Sequence, residues 1–227
     1  MEIITNEGYR MDGRKKDEIR RIRLRSGVTE KTGHIELHHG NTKIRCAMGE
    51  YKERQKEKVS FQIFFYDGTS NDRLERKGEE LQQTLSYIFN PLVISVESLE
   101  LNLTVLQDDG SLLSCAINCV SITLCYNGIG MTDFVVGSTT GMYHHIPIVD
   151  INGHEETNRI SQVVMAYLPH RETLTYYMAI GKIQKNRLKI ATKEGINTCK
   201  KYFSIFSDFL KGGEIELDKE QSFCQIV

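Results

Sequence analysis

The chain has 227 residues, 40% hydrophobic and 26% charged, enough for one large globular domain or two fused small ones. With 29 basic and 30 acidic residues the formal net charge is −1, which excludes a polybasic nucleic-acid binder and leaves any RNA contact to a local patch. Three prolines, no low-complexity run and no long apolar stretch exclude an extended disordered linker and a membrane-spanning helix.

The first seven residues carry two acids, Glu2 and Glu7, and lack the apolar core of a signal peptide. Residues 21–25 alternate basic and apolar, as a half-buried strand does. Residues 34–38 and 43–48 alternate too and flank the turn cluster His39-Gly40-Asn41-Thr42, which predicts a hairpin. Residues 59–65 form a further predicted strand, ended by Asp67-Gly68. The spacing of Leu74, Leu81, Leu85 and Ile88 predicts a helix over 73–89, with Asn71 or Asp72 as its cap and Asn90-Pro91 as its end. Leu99, Leu101, Leu103 and Val105 fall at every second position and mark a strand.

After the break at 108–111, residues 112–126 are apolar nearly all round and predict a buried helix. Residues 134–149 read as two strands around Gly141, and 163–167 with 174–180 as another pair. Leu188, Ala191, Gly195, Cys199, Phe203, Phe206 and Leu210 recur at steps of three or four and predict a last amphipathic helix, stopped at Gly212-Gly213. Strands followed by helices, twice over, argue for an α+β fold.

Several constellations carry no metal chemistry. The six cysteines are scattered among core-like positions and read as reduced, buried thiols. Cys115 and Cys119 lie one turn apart on the apolar helix without companion ligands. His34 and His38 share a strand face without a third ligand, and His144-His145 are expected on opposite faces of a strand. No metal ion or cofactor is therefore expected.

Tyr9-Arg10-Met11-Asp12-Gly13-Arg14 resembles the opening signature of the RNase PH superfamily. The segment 27–40, running into a Gly-Asn-Thr turn, and the segment 128–134 (Gly-Ile-Gly-Met-Thr-Asp-Phe) resemble later stretches of that family in the same order. The resemblance covers roughly residues 9–211, read as one RNase PH-like domain with terminal extensions at 1–8 and 212–227. It is strongest to the eukaryotic RNA exosome ring subunit most similar to bacterial RNase PH and to the archaeal catalytic ring subunit.

That resemblance implies the RNase PH fold, two βαβα-like halves of ribosomal protein S5 domain 2 type. It also implies a ring of related subunits around a pore. Implied partners are other RNase PH-like ring subunits, cap subunits, an associated exoribonuclease and RNA, with no membrane. Implied roles are ribosomal RNA processing and RNA degradation in nucleus, nucleolus and cytoplasm.

Active relatives cleave RNA from its 3′ end with inorganic phosphate. This needs cations on the RNA backbone, an anion site at a helix N-terminus, and a carboxylate acting as general acid or metal ligand. Arg73 matches one of two adjacent family arginines while Asp72 stands at the other; Arg76 and Lys77 follow one turn on. RNA contact and a solvated helix start are equally open readings of that stretch.

The family's phosphate motif, Gly-Ser-Arg, is here Gly110-Ser111-Leu112, a degenerate phosphate site without its forked donor. Asp108 and Asp109 oppose an anion there, and Ser111 is expected to cap the helix. The family's catalytic aspartates align with Glu156 and Gln162. An extra methylene at Glu156 displaces the carboxylate by about an ångström, a misplacement that can cost about a hundredfold in rate.

The expectation is a non-catalytic ring subunit that guides RNA 3′ ends to a separate 3′→5′ exoribonuclease. Lys52, Arg54 and Lys56 in the mixed-charge stretch 51–58 are the candidate RNA contacts, together with Arg73 and Arg76. The alternative is an active phosphorolytic exoribonuclease using Glu156 and the Arg73 region; a third reading is a free homohexamer with another RNA-binding role.

Overall fold

The computed structural model describes residues 3–5, 8–29, 32–49, 58–66, 72–94 and 98–212. Strands β1 (Ile22–Thr29), β2 (Thr32–His39) and β3 (Thr42–Met48) form an antiparallel meander. Strand β4 (Val59–Phe65) leads through helix α1 (Asp72–Phe89) into β5 (Leu99–Gln107), which lies parallel to β4 and antiparallel to β3. The sheet order is β1-β2-β3-β5-β4. Strand β2 shows why the sequence folds this way: every second side chain, Ile35, Leu37 and His39 among them, turns to the core.

Helix α2 (Leu112–Tyr126) is buried almost all round, as its composition predicts, because it packs on β2 and β3 on one side and on β6 and β8 on the other. The second sheet, ordered β7-β6-β8-β9, contains β6 (Val136–Tyr143), β7 (Ile146–Val149), β8 (Ser161–Leu168) and β9 (Thr173–Ile180). Helix α4 (Lys185–Leu210) covers the face of this sheet opposite α2. Gly137 meets Ser114 of α2, while the neighbouring Ser138 donates to the Gly195 carbonyl of α4 at 3.1 Å. Apolar side chains from both sheets and from α1, α2 and α4 join in one continuous core.

The residue pattern of 134–149 needs two corrections. Gly141 lies inside β6, paired with Gln162 and Ile148, and the reversal falls at His144-His145. Those histidines therefore occupy a turn, not a strand, with His144 in a left-handed conformation. A short helix, α3 (Gly153–Thr157), is additional to the predicted elements. Asp72 is the first residue of α1, and Asn71 lies outside the described residues.

The buried thiols fit the reading from sequence. Cys46, Cys115, Cys119 and Cys199 are buried and free, Cys125 is half-buried, and Cys224 lies outside the described residues. Burial pushes the Cys46 and Cys199 thiols up to about 12, which keeps them protonated and unreactive. No described helix is long and apolar enough to cross a membrane, and the described residues contain no metal-binding cluster of His, Cys, Asp or Glu.

Candidate functional site

A cleft of about 500 Å³ opens between α1, the head of α2 and the α2-facing side of the second sheet. It brings together Ser111 and Leu112, the exposed Glu156 at the end of α3, and Gln162 of β8, residues up to 51 positions apart in the chain. From α1 the wall takes Lys77 and Glu80. Arg73 and Arg76 are exposed on the same helix but do not line the cleft. Lys52, Arg54 and Lys56 lie outside the described residues.

The turn at the head of α2 is tightly specified. Gly110 and Ser111 both have positive φ, 83° and 54°. A Cβ on Gly110 would stand 2.5 Å from the Asn152 carbonyl carbon, so only glycine fits. Arg20 Nη1 donates to the Asp109 carbonyl at 2.8 Å, and Thr42 Oγ1 donates to the Gly110 carbonyl at 2.9 Å.

Ser111 does not cap α2 as expected. Its left-handed backbone aims the hydroxyl away from the first-turn amides, and Oγ donates instead to the Ile151 carbonyl at 2.7 Å. The two aspartates beside it belong to the turn's own bonding. Asp108 accepts from the Gly110 amide and pairs with Lys77, while Asp109 Oδ1 accepts from the Gly153 amide at 3.2 Å.

Glu156 is positioned by a clasp that the residue-by-residue reading missed. Arg10, the second residue of the opening signature, is 2% exposed and reaches across the fold to α3. Its Nε donates to Glu155 Oε1 at 2.7 Å, a second guanidinium nitrogen pairs with Oε2, and Nη1 donates to the Val149 carbonyl at 2.7 Å. Asn152 Oδ1 accepts from the Glu155 amide while Glu155 Oε2 accepts from the Asn152 amide, a reciprocal cap that starts α3. The pattern Asn152-x-x-Glu155 is the signal that reveals this helix.

Beneath the clasp lies a second ionic group. Asp150 is 1% exposed, and its carboxylate meets Arg20 at 2.8 Å and His39 Nε2 at 2.9 Å. His39 Nδ1 lies 3.1 Å from Cys115 Sγ, and Tyr202 Oη 3.1 Å from His39 Nε2. Burial disfavours charge on His39, but the Asp150 carboxylate outweighs it and raises the imidazole to about 9. Burial likewise opposes charge on Asp150, yet His39 and Arg20 hold it well below the ordinary carboxylate range.

Chemically, the cleft opposes an anion. The first-turn amides of α2 are oriented for one. Among the described lining residues, however, Lys77 is the sole cation, its charge is matched by Asp108, and Glu80 and Glu156 are both acids. Leu112 offers no donor where a guanidinium would fork onto phosphate. Gln162 is buried and neutral, and its Oε1 has no hydrogen-bond partner among the described residues.

Residues 18–130 match the RNase PH family, described as the 3′ exoribonuclease family, domain 1. The chain belongs to the RNase PH superfamily. It is 28% identical over 216 residues to an RRP41-type exosome component of Caenorhabditis briggsae, spanning 88% of this chain and 90% of that one. Exosome complex component SKI6 of Saccharomyces cerevisiae is 28% identical over 216 residues, 86% of this chain and 87% of its own. The crystal structure of rice (Oryza sativa) Rrp46 superposes with a TM-score of 0.77 at 20% identity, covering 89% of this chain and 100% of that chain. The two-sheet α+β architecture is thus the RNase PH fold, and the cleft lies between α1, the head of α2 and its second sheet.

Proposed function

We propose that this chain is a non-catalytic RNase PH-like ring subunit of an RNA exosome, passing RNA 3′ ends to an associated 3′→5′ exoribonuclease. Residues 9–211 are its working domain, with 1–8 and 212–227 as terminal extensions. Ile3 is buried against that domain. The exosome assignment draws on relatives that are themselves exosome components and span most of this chain. Its partners are neighbouring RNase PH-like and cap subunits; its processes are ribosomal RNA maturation and RNA degradation, in nucleus, nucleolus and cytoplasm.

The observation that carries the absence of catalysis is the charge of the cleft: Lys77 is paired with Asp108, and Leu112 and Gln162 are neutral. Phosphate entering there gives up hydration without gaining a cation, and repulsion from Glu80 and Glu156 adds to that cost. Cleavage then lacks both its nucleophile and the second carboxylate. RNA is held instead through its backbone by Lys52, Arg54 and Lys56, with Arg73 and Arg76 at the start of α1.

One observation favours the other reading: Glu156 lines the cleft. Labelled RNA incubated with the chain, alone and in its reconstituted ring, with and without phosphate, separates the two. The expected result is no phosphate-dependent release of nucleoside diphosphates. Such release, abolished by Glu156→Gln, would make the protein a phosphorolytic nuclease.

A further inference from the structure

A second groove lies where the β6–β7 turn, the connection from α3 to β8 and the start of α4 meet. It encloses about 350 Å³, and its walls include Tyr143, His144, Arg159, Lys182 and Arg187. None of the described residues lining it is acidic. Arg187 is held in place, its Nη1 donating to the His144 carbonyl at 2.9 Å. Arg159 and Lys182 are exposed, and neither has an ion-pair partner among the described residues.

Three cations gathered without a counter-charge among the described residues repel one another. Lys185 and Lys189 stand on the same first turns of α4, and the first turn carries no acid. Such an arrangement is relieved by a bound polyanion. The walls also carry two aromatic rings, Tyr143 and His144, packed edge to face with centroids 4.5 Å apart. Cations beside aromatic rings suit single-stranded nucleic acid, whose phosphates and bases engage both, whereas an acidic peptide engages only the cations.

We propose that this groove holds a stretch of single-stranded RNA, its phosphates on Arg159, Lys182 and Arg187 and its bases stacked on Tyr143 and His144. The inference rests on the RNA-guiding function above and adds a binding site with lining distinct from that of the cleft.

The test uses the full chain in its reconstituted complex and a labelled oligouridylate, with anisotropy titrations over a salt series. Arg159→Glu with Lys182→Glu reverses the two exposed charges. Arg159→Asn with Lys182→Gln is the gentler pair, because asparagine tolerates the left-handed backbone at φ 54°. The expected result for the neutral pair is an affinity loss of about tenfold and a salt slope smaller by about 1.4, roughly 0.7 for each phosphate no longer neutralised. Crosslinks from 4-thiouridine are expected at Tyr143 or His144.

Unchanged affinity and slope in a complex that binds RNA would overturn this inference alone. A charge-reversed chain that no longer enters the complex, with its own RNA affinity intact, would overturn it in favour of an acidic protein segment. A wild-type complex that binds no RNA would overturn the RNA-guiding function itself.

Discussion

Asp150 pairs with both Arg20 and His39, and neither has another ion-pair partner among the described residues. Asp150→Asn leaves both buried without their counter-ion and is expected to cost about 3–5 kcal/mol, read as a lowered urea midpoint. The same site sets a pH dependence. His39 binds its proton more tightly when folded, so its contribution is complete below its ordinary 6.5 and is lost as pH rises through about 9. Stability should therefore fall between those values, and His39→Gln should flatten that slope. Asp150 acts in the opposite sense: its contribution is present above the ordinary 3.8 and is lost only at more acidic pH. At Gly110 the argument is steric. Gly110→Ala places a methyl 2.5 Å from backbone at φ 83°, with an expected loss of at least about 2 kcal/mol in thermal unfolding.

At the scale of elements, α3 depends on its cap. Asn152→Ala removes the acceptor for the Glu155 amide and also the side-chain bond to Asp12 at 3.0 Å. A loss of about 1 kcal/mol is expected, with faster hydrogen exchange at 153–157 and little change in the first sheet. This helix also shows where the sequence is opaque. Strands β2 and β5 and helices α2 and α4 were legible because burial on one face, or on all faces, imposes a period on the residue types. A five-residue helix has no period to show, and only its cap announces it. The turn at His144-His145 was hidden because Gly141, the more obvious breaker, serves a different end: a Cβ there would meet Ile151 at 2.8 Å. In the cleft, Ser111, Leu112, Glu156 and Gln162 were legible through the resemblance to a family motif. The Arg10–Glu155 and Arg20–Asp150 pairings were not, because partners 145 and 130 positions apart leave no local trace.

Across the whole molecule, several large apolar side chains remain open to solvent. Val28 on the edge strand β1 is 71% exposed, Phe64 on the edge strand β4 51%, and Tyr87 on α1 68%. Unpaired strand edges carrying such residues suit subunit interfaces. On the ring-subunit proposal, the purified chain alone should not close into a homohexamer, and native mass measurement should show stable association only when related subunits are added. The clasp at Arg10 and Arg20 bears on how the protein is made. The first sheet is complete in sequence at Gln107, but the acceptors at residues 149–155 emerge from the ribosome later. At ordinary translation speeds the amino-terminal arginines wait roughly 10 s for them. The nascent chain thus holds all five strands of the first sheet before its leading arginines can be fastened, and the last wall of the cleft, at residues 176–180, follows later still.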